Sequence, residues 1–396
     1  MTRSDRIYLD HSATTPLDPR VLESMLPYLS DHWGNPSSLY VEAQEARKGL
    51  DGSRKTIADY IGCKPNELVF TSGGSESADL ALRGAAYAGR KRGANHIVTT
   101  AIEHHAVLHT AERLEKEGFE VTYLGVDHEA FIDLQELEDS IRDDTALVSV
   151  MHVNNEVGTI EPIAEAVRVV KEKSSRTIFH TDAVQAIGSL DANVNDLGVD
   201  LLSIGAHKFY GPKGVGALYI RSRTALEPQQ LGGSQEKARR AGTENVAGIV
   251  GMATALQLAY DESDSRTAHY HALRDRFFYG IPERVPHTHI TGTHDLSRRA
   301  SFNFSCCFEF IEGEAILMAL DLAGIAASSG SACTSGSLEP SHVLMAMRVP
   351  EDLARGSLRL TVGKDNTDEE ITYVLETLPD IVERLRSLSP QWRQRV

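Results

Sequence analysis

Cysteine, positive charge and long apolar runs are all scarce in this 396-residue chain. The four cysteines (Cys63, Cys306, Cys307 and Cys333) are spaced neither as a disulfide framework nor as a CxxC metal pair, so we expect no bound metal. No run approaches the roughly 18 apolar residues of a membrane span, and residues 1–6 lack the apolar core of a signal peptide. Lys and Arg number 40 against 56 Asp and Glu, and this net charge of −16 disfavours nucleic acid as a partner. We therefore expect a cytoplasmic protein that binds neither membrane nor nucleic acid.

The middle of the chain carries the pattern of an α/β fold. A length of 396 residues indicates two or three domains. Short apolar runs alternate with helical patterns, and the runs that we interpret as buried strands are residues 68–70, 97–99, 146–150, 177–179 and 201–204. This alternation predicts a largely parallel sheet, in which ligands bind beyond the carboxyl ends of the strands.

Composition changes near residue 262, where we place a domain boundary. Residues 260–295 are polar and are expected to be less regular, after which a new strand is predicted near Ser301. Beyond it the pattern predicts two helices, a strand and a last helix, at residues 313–323, 342–347, 357–362 and from Thr367 onwards. We thus predict an N-terminal segment (1–15) packed on the smaller domain, a large domain (16–262) and a smaller α+β domain (263–396).

Lys208 lies where the apolar run 199–204 breaks into a Gly/Pro turn, within the sequence SIGAHKFYGPKG at residues 203–214. A lysine at a strand end can form a Schiff base with an aldehyde cofactor such as pyridoxal phosphate. That cofactor also needs an acid for its ring nitrogen and a cradle for its phosphate. A lysine before Gly-Pro is more often an ordinary turn residue, so the other motifs decide between the two interpretations.

Candidates for the acid and the cradle follow other predicted strands. Residues 71–77 (TSGGSES) precede a predicted helix over 78–86, and its free N–H groups could bind a phosphate; an ordinary turn is the alternative. Asp182 could keep a pyridinium nitrogen protonated, with Gln185 near the ring oxygen, although a lone Asp-Ala is more often a helix N-cap. His104 could stack on the ring and exchange protons, or could be an ordinary structural histidine.

Two further residues could recognise a substrate carboxylate. Arg359 alternates with leucines on a predicted strand, and a bidentate grip on a carboxylate is the natural use of its guanidinium. A surface arginine on that strand fits the same pattern. Asn155, within residues 154–159, offers an amide beside the site, with a plain turn as the alternative.

The cysteines divide into two kinds. Cys306 and Cys307 follow an apolar, strand-like run and are expected to be buried structural thiols. Cys333 lies in a Ser/Gly-rich loop, residues 328–337, that no bulky apolar residue anchors. Because a structural cysteine prefers burial, a nucleophile that visits an active site explains Cys333 better than packing does.

Together these segments resemble the cysteine desulfurases, a pyridoxal-phosphate family of fold type I, nearly from end to end. The segments that carry the resemblance are residues 8–16, 34–38, 71–76, 154–160, 180–185, 207–208, 240–245 and 328–340. The run SSGSACTSGSLEPSH at residues 328–342 is most similar to the long-loop class that includes the nitrogenase-type enzymes. The resemblance implies a large domain with a mostly parallel sheet and a smaller α+β domain.

The resemblance also implies a role for each matching residue. Lys208 would bond to the cofactor, Asp182 would bind its ring nitrogen and Gln185 its ring hydroxyl. His104 would stack on the ring and carry protons. The implied phosphate ligands are Gly74, Ser75, the backbone of Gly205, His207, and Thr243 from the neighbouring subunit of a homodimer. Asn155 and Arg359 would grip the carboxylate of L-cysteine, and Cys333 would accept its sulfur.

The implied activity is conversion of L-cysteine to L-alanine, with the sulfur held as a persulfide on Cys333. An acceptor protein would then take the sulfur for iron–sulfur cluster assembly or another thiolation pathway. Selenocysteine lyase or aminotransferase activity on the same scaffold is one alternative, although transamination has no use for an exposed thiol. A non-catalytic subunit is another, and the presence of Lys208 argues against it.

Three positions depart from the pattern of this family. Gly205 stands where a phosphate-binding serine is usual, which removes a hydroxyl donor and predicts weaker cofactor retention. Ser75 replaces a threonine and keeps its hydroxyl. Lys364 replaces a common arginine and keeps its charge.

Overall fold

The computed structural model describes residues 6–329 and 340–393. Its strands are β1 (Ile7–Tyr8), β2 (Leu68–Thr71), β3 (His96–Thr100), β4 (Glu120–Leu124), β5 (Thr145–Ser149), β6 (Ile178–Asp182), β7 (Leu201–Gly205), β8 (Gly216–Ile220), β9 (Thr288–Ile290), β10 (Asn303–Phe308), β11 (Ile325–Ala326) and β12 (Ser357–Thr361). Its helices are α1 (Pro19–Ser30), α2 (Val41–Ile61), α3 (Gly74–Arg90), α4 (His105–Lys116), α5 (Leu134–Ser140), α6 (Ile163–Lys173), α7 (Val194–Leu197), α8 (Val246–Asp261), α9 (Ser263–Arg284), α10 (Gly313–Leu322), α11 (His342–Ala346), α12 (Glu351–Ala354), α13 (Asp368–Leu388) and α14 (Pro390–Arg393).

The central sheet has seven strands in the order β2-β8-β7-β6-β5-β3-β4. Strand β8 pairs antiparallel with β7 and β2, and the other neighbouring strands pair parallel. The predicted mostly parallel sheet is therefore confirmed. Because every strand except β8 points the same way, the carboxyl ends of β2, β3, β5, β6 and β7 meet at one edge.

Both faces of this sheet are covered, which explains the uninterrupted apolar runs of its strands. Successive residues face opposite sides: Ile97 and Ile178 pack in a core cluster with α3 and α4. Their neighbours Val98 and Phe179 pack in a larger cluster with α2, α6 and α8. The edge with the carboxyl ends is thus held rigidly between two helical layers.

A second, antiparallel sheet has the order β12-β10-β9, with α9, α10 and α13 packed near it. Strand β1 pairs parallel with β11, a strand near the other end of the described chain. The first residues of the described chain thus join a segment more than 300 residues later. The division into domains at residues 15 and 262 stays a prediction.

The expectation of irregular structure over residues 260–295 is wrong. Helices α8 and α9 follow each other directly, separated at Glu262, and α9 runs to Arg284. The polar residues form one exposed face of α9, whereas Leu273, Phe277 and Ile281 are buried at a spacing of four.

Helix α3 begins at Gly74, four residues earlier than the predicted start at residue 78. Among the described residues, no helix is both long enough and apolar enough to cross a membrane.

Candidate active site

Lys208 ends a short 3-10 turn that directly follows β7. Its Nζ donates to the backbone carbonyl of Ala13 at 2.8 Å and to that of Ser12. The amide of Gln185 donates to the same Ser12 carbonyl at 2.9 Å. The N-terminal segment therefore brings Lys208 and Gln185 together, as the sequence motifs require. We call these two carbonyls, of Ser12 and Ala13, the lysine platform. Every residue has a backbone carbonyl, so no sequence pattern predicts these contacts.

Asp182 is the last residue of β6 and is buried. Its carboxylate accepts a hydrogen bond from the backbone N–H of Val184 at 3.0 Å, but no helix follows, so it caps a turn. Burial raises the pKa of Asp182 to about 6, while the positive charge of Lys208 acts in the opposite direction. Asp182 is thus a buried acid whose charge state responds to a nearby cation.

Glu103 is a second buried carboxyl at this edge of the sheet. One of its oxygens accepts from the Thr100 hydroxyl at 3.0 Å and from the Met151 N–H at 2.7 Å. Burial, together with the negative charge of Asp182, raises the pKa of Glu103 well above its ordinary value. Glu103 is therefore a second buried carboxyl whose pKa is coupled to the charge of Asp182. This burial was not predicted from the sequence, because glutamate is mostly an exposed residue.

Replacing Asp182 by asparagine is expected to stabilise protein stripped of any cofactor, and only at higher pH. An aspartate with a folded-state pKa near 6 and an ordinary value of 3.8 keeps its proton longer when folded. Stability is therefore lost as pH rises from about 4 through 6, by about 3 kcal/mol. Denaturant unfolding at pH 8 should show a gain of that order for Asp182→Asn, and almost none at pH 4.

The control for this prediction is Asp191→Asn, at an exposed carboxyl. Its unfolding free energy should follow that of the original protein at both pH values. An equal gain for Asp182→Asn at pH 4 and pH 8 would contradict the assignment of a buried, titrating carboxylate.

His104 caps the start of α4, where its Nδ1 accepts the N–H of Ala106 at 3.1 Å. Burial and, to a smaller extent, the charge of Lys208 together lower the pKa of His104 to about 4. Because Nδ1 is the acceptor, the neutral ring carries its proton on Nε2. His104 is thus a helix cap whose imidazole is fixed in one tautomer. A structural role as a cap and a role in stacking on a cofactor ring are compatible.

The predicted phosphate ligands lie near the start of α3. Gly74 and Ser75 form its first turn, and a Cβ built on Gly205 would lie 3.4 Å from the Gly74 nitrogen. His207 forms a 3.1 Å hydrogen bond to Thr14 through Nδ1, and burial lowers its pKa to about 4. The structure thus brings Gly74 and Gly205 together beside the turn that carries His207 and Lys208.

Thr243, the remaining predicted phosphate ligand, is exposed. Its loop is tied to α3 by an ion pair between Arg240 and Glu76 at 2.7 Å. Three residues of the same loop, Glu236, Lys237 and Ala238, have positive φ angles of 46°, 57° and 61°. Such angles are costly for residues other than glycine, so surrounding contacts must impose this conformation.

Arg359 and Asn155, the two residues predicted to bind a substrate carboxylate, are in contact. Arg359 is buried on β12, and its guanidinium donates to the Asn155 carbonyl at 2.9 Å. It also forms an ion pair with Asp10 at 2.8 Å. The interpretation of Arg359 as a surface residue is therefore wrong. Asp10, which the sequence showed only as part of a motif, orients this guanidinium.

The cysteine predictions have different outcomes. Cys306 and Cys307 are buried on β10, which confirms them as structural thiols, and burial raises the pKa of Cys307 to about 12. Burial also raises the pKa of the partly buried Cys63 to about 12. Cys333 lies outside the described residues.

Lys364 is the third position that departs from the family pattern. Its Nζ forms ion pairs with Asp365 at 2.9 Å and with Asp18 at 3.6 Å.

Comparison with known proteins gives consistent matches over nearly the whole chain. The profile of the family described as Aminotransferase class-V matches residues 7–374. A Clostridium botulinum (strain Hall) protein named "Cysteine desulfurase IscS" is 50% identical over 387 residues, which cover 98% of this chain and 97% of the relative.

Solved structures agree with the sequence relatives. One described as a "NifS-like protein" is 39% identical with a TM-score of 0.90, covering 96% of this chain and 100% of its own. Another, described as "SspA in complex with cysteine", is 36% identical with a TM-score of 0.78, covering 91% of this chain and 100% of its own. The fold is therefore shared with these solved structures over more than nine-tenths of the chain.

Proposed function

Because the chain belongs to the aminotransferase class-V family, we propose that it is a cysteine desulfurase, which converts L-cysteine to L-alanine with pyridoxal 5′-phosphate as cofactor. The observation that carries this proposal is the 50% identity, over 98% of the chain, to a relative of that name. The fold-type-I architecture and the position of Lys208 beside Gln185 agree with it.

The residues at the carboxyl edge fit this cofactor. A primary amine, a buried carboxyl near a cation and the N-terminus of a long helix are the groups that its aldehyde, ring nitrogen and phosphate need. Lys208, Asp182 and Gln185 would hold the aldehyde, the nitrogen and the ring oxygen. Gly74, Ser75, Gly205 and His207 would bind the phosphate.

When bound, pyridoxal phosphate withdraws electrons from the α-carbon of an amino acid. The chain supplies the proton transfers. Lys208, whose Nζ donates to the Ser12 and Ala13 carbonyls, would remove the α-proton when its amine is neutral. His104, with its proton on Nε2, would stack on the ring of the cofactor and donate a hydrogen bond from Nε2, and it could carry a proton only after gaining a second one. Arg359 and Asn155 would bind the carboxylate of L-cysteine.

Cys333 would act as a thiolate nucleophile. Its sulfur forms a bond to the sulfur of the substrate, and the carbon–sulfur bond breaks with its electron pair left on carbon. A proton then adds to that carbon and gives the methyl group of L-alanine. The enzyme retains a persulfide on Cys333, which an iron–sulfur scaffold or another acceptor protein would discharge. The net charge of −16 favours acceptors with basic surfaces.

The proposed assembly is a cytoplasmic homodimer in which Thr243 reaches the phosphate of the neighbouring subunit. Apolar side chains exposed on α1 and the segment after it support this assembly, because monomers seldom expose so many. They are Leu22, Leu26, Leu29, Trp33, Leu39, Tyr40 and Val41, of which Trp33 is 68% and Leu39 93% exposed.

The proposed function is tested by anaerobic incubation of purified protein with L-cysteine and a thiol reductant. Alanine and sulfide should appear in equal amounts over many turnovers. Neither product, from protein that holds pyridoxal phosphate, would contradict cysteine as the substrate.

Replacing Gly205 by serine is expected to slow the loss of the cofactor. A Cβ at this position would lie 3.4 Å from both the Gly74 nitrogen and a Val184 methyl, which is ordinary contact, and the φ of −131° suits any residue. The added hydroxyl would donate to the phosphate beside the first turn of α3. A hydrogen bond to a charged group contributes about 1.5–3 kcal/mol, so release should slow about tenfold or more.

The rate is measured as loss of cofactor absorbance after dilution into a trap that consumes free pyridoxal phosphate. Gly205→Ala is the matched control, since it adds the Cβ without the hydroxyl and should leave the rate unchanged. Equal slowing by alanine and serine would show that filling space, and not the hydroxyl, is responsible.

A further inference from the structure

Ser341 and Glu156 form a buried contact that none of the roles above uses. Ser341 caps α11: its Oγ accepts the N–H groups of Val343 and Leu344 at 3.1 and 3.3 Å. The same hydroxyl donates its proton to Glu156 Oε2. Both residues are only 3% exposed. A hydroxyl that serves three partners at once is fixed in position, and so is the helix start that it caps.

Glu156 is itself fixed by the turn in which it lies. The side-chain oxygen of Asn154 accepts the N–H groups of Glu156 and Val157 at 2.9 and 3.0 Å. The carbonyl of Glu156 accepts from the side chain of Asn303 at 3.2 Å. Burial raises the pKa of Glu156 to about 7, whereas its bond to Ser341 and the charge of Arg359 lower it. Because both the backbone and the side chain of Glu156 are held by hydrogen bonds, its carboxylate can fix the position of α11 through Ser341.

The neighbouring residue of this turn is Asn155, the proposed substrate ligand, whose carbonyl accepts from Arg359. The backbone of Arg359 in turn exchanges hydrogen bonds with Ser328, donating at 2.7 Å and accepting at 3.2 Å. Ser328 and Ser341 are thus each bonded to one side of the carboxylate site. In sequence, Cys333 falls between them.

We propose that Glu156 and Ser341 are positioning residues for the sulfur-transfer step. Their contact holds the start of α11 against the turn that carries Asn155. Ser341, eight residues after Cys333 in the sequence, is therefore fixed relative to Asn155 and Arg359. This inference rests on the proposed function. Breaking the contact should slow sulfur transfer and leave the binding of L-cysteine unchanged, because Arg359 and Asn155 keep their own partners.

Ser341→Ala tests this inference against Thr367→Ala, the matched loss of a hydroxyl cap. Thr367 caps α13 by accepting the N–H of Glu370 at 3.3 Å. We expect both variants to lower the melting temperature by a few degrees. Only Ser341→Ala should lower kcat, about tenfold, with KM for L-cysteine within twofold of the original. Ser341→Thr keeps the hydroxyl and should restore kcat.

Single-turnover mass spectrometry of the Cys333 peptide gives a second readout, the rate of persulfide formation. A kcat for Ser341→Ala within twofold of that for Thr367→Ala would overturn the inference. So would an increase in KM with kcat unchanged, because the contact would then serve binding alone. If Ser341→Ala fails to fold, Glu156→Asp shortens the carboxyl while keeping its charge, and the same loss of kcat is expected.

The proposed function is checked first with the original protein. Failure of that protein to release alanine from L-cysteine would refute the proposed function and, with it, this inference. Normal turnover by the original protein, together with normal turnover by both Ser341→Ala and Glu156→Asp, would overturn this inference alone.

Discussion

Lys208→Ala is expected to lose turnover of L-cysteine by at least about a thousandfold. Alanine can neither bond to an aldehyde cofactor nor remove the α-proton, and positioned proton transfer alone contributes about 10²–10⁴ in rate. The fold should survive, since Lys208 lies at the surface edge of a rigid sheet and its partners, the carbonyls of Ser12 and Ala13, can bind water instead.

The measurement combines alanine release with peptide mapping after borohydride reduction. In the original protein the cofactor should label the peptide that contains Lys208, and in the variant no peptide should carry it. Lys213→Ala is the matched control, an exposed lysine five residues further along the same turn. Labelling of any other lysine in the original protein would contradict the assignment, as would normal turnover by Lys208→Ala.

Cys333→Ser is expected to abolish the release of both sulfide and alanine while leaving the binding of L-cysteine intact. A serine hydroxyl remains protonated at neutral pH and attacks sulfur poorly, whereas an accessible thiol supplies thiolate. The spectral change that L-cysteine causes in the loaded protein should persist. Alanine and sulfide are quantified together after anaerobic incubation.

Cys63→Ser serves as the comparison for this variant. The Cys63 thiol, with its pKa raised to about 12, stays protonated at neutral pH and should not act as the acceptor. Its replacement is therefore expected to leave the rate within twofold of the original. Loss of activity in Cys63→Ser, or its retention in Cys333→Ser, would show that the sulfur acceptor is assigned wrongly.

Local sequence patterns predicted the architecture of the central sheet well, for a physical reason. Strands buried on both faces are continuous apolar runs, and the polar residue that ends each run falls at the functional edge. Asp182, at the end of β6, and Lys208, just beyond β7, were found in this way. Helix α9 was missed because its exposed face dominates the composition, while its buried residues lie four apart.

Features of the site that depend on distant contacts were beyond the reach of sequence patterns. The ion pair between Asp10 and Arg359 joins residues 349 positions apart. The platform for Lys208 consists of backbone carbonyls, which any residue would provide. Glu103 reads as an ordinary charged residue until its burial is known. Such features follow from tertiary packing, which motifs alone do not encode.

The pairing of β1 with β11 constrains the order in which a ribosome can complete this protein. The N–H of Ile7 bonds to the carbonyl of Gly324, and the carbonyl of Leu9 accepts the N–H of Thr361. Residues 7–9 must therefore wait until residues 324–361 have been synthesised before these bonds can form. At roughly 5–20 residues per second, that delay is on the order of tens of seconds. Because the carbonyls of Ser12 and Ala13 belong to the same segment, we expect them to be fixed beneath Lys208 only after residue 361 has been synthesised.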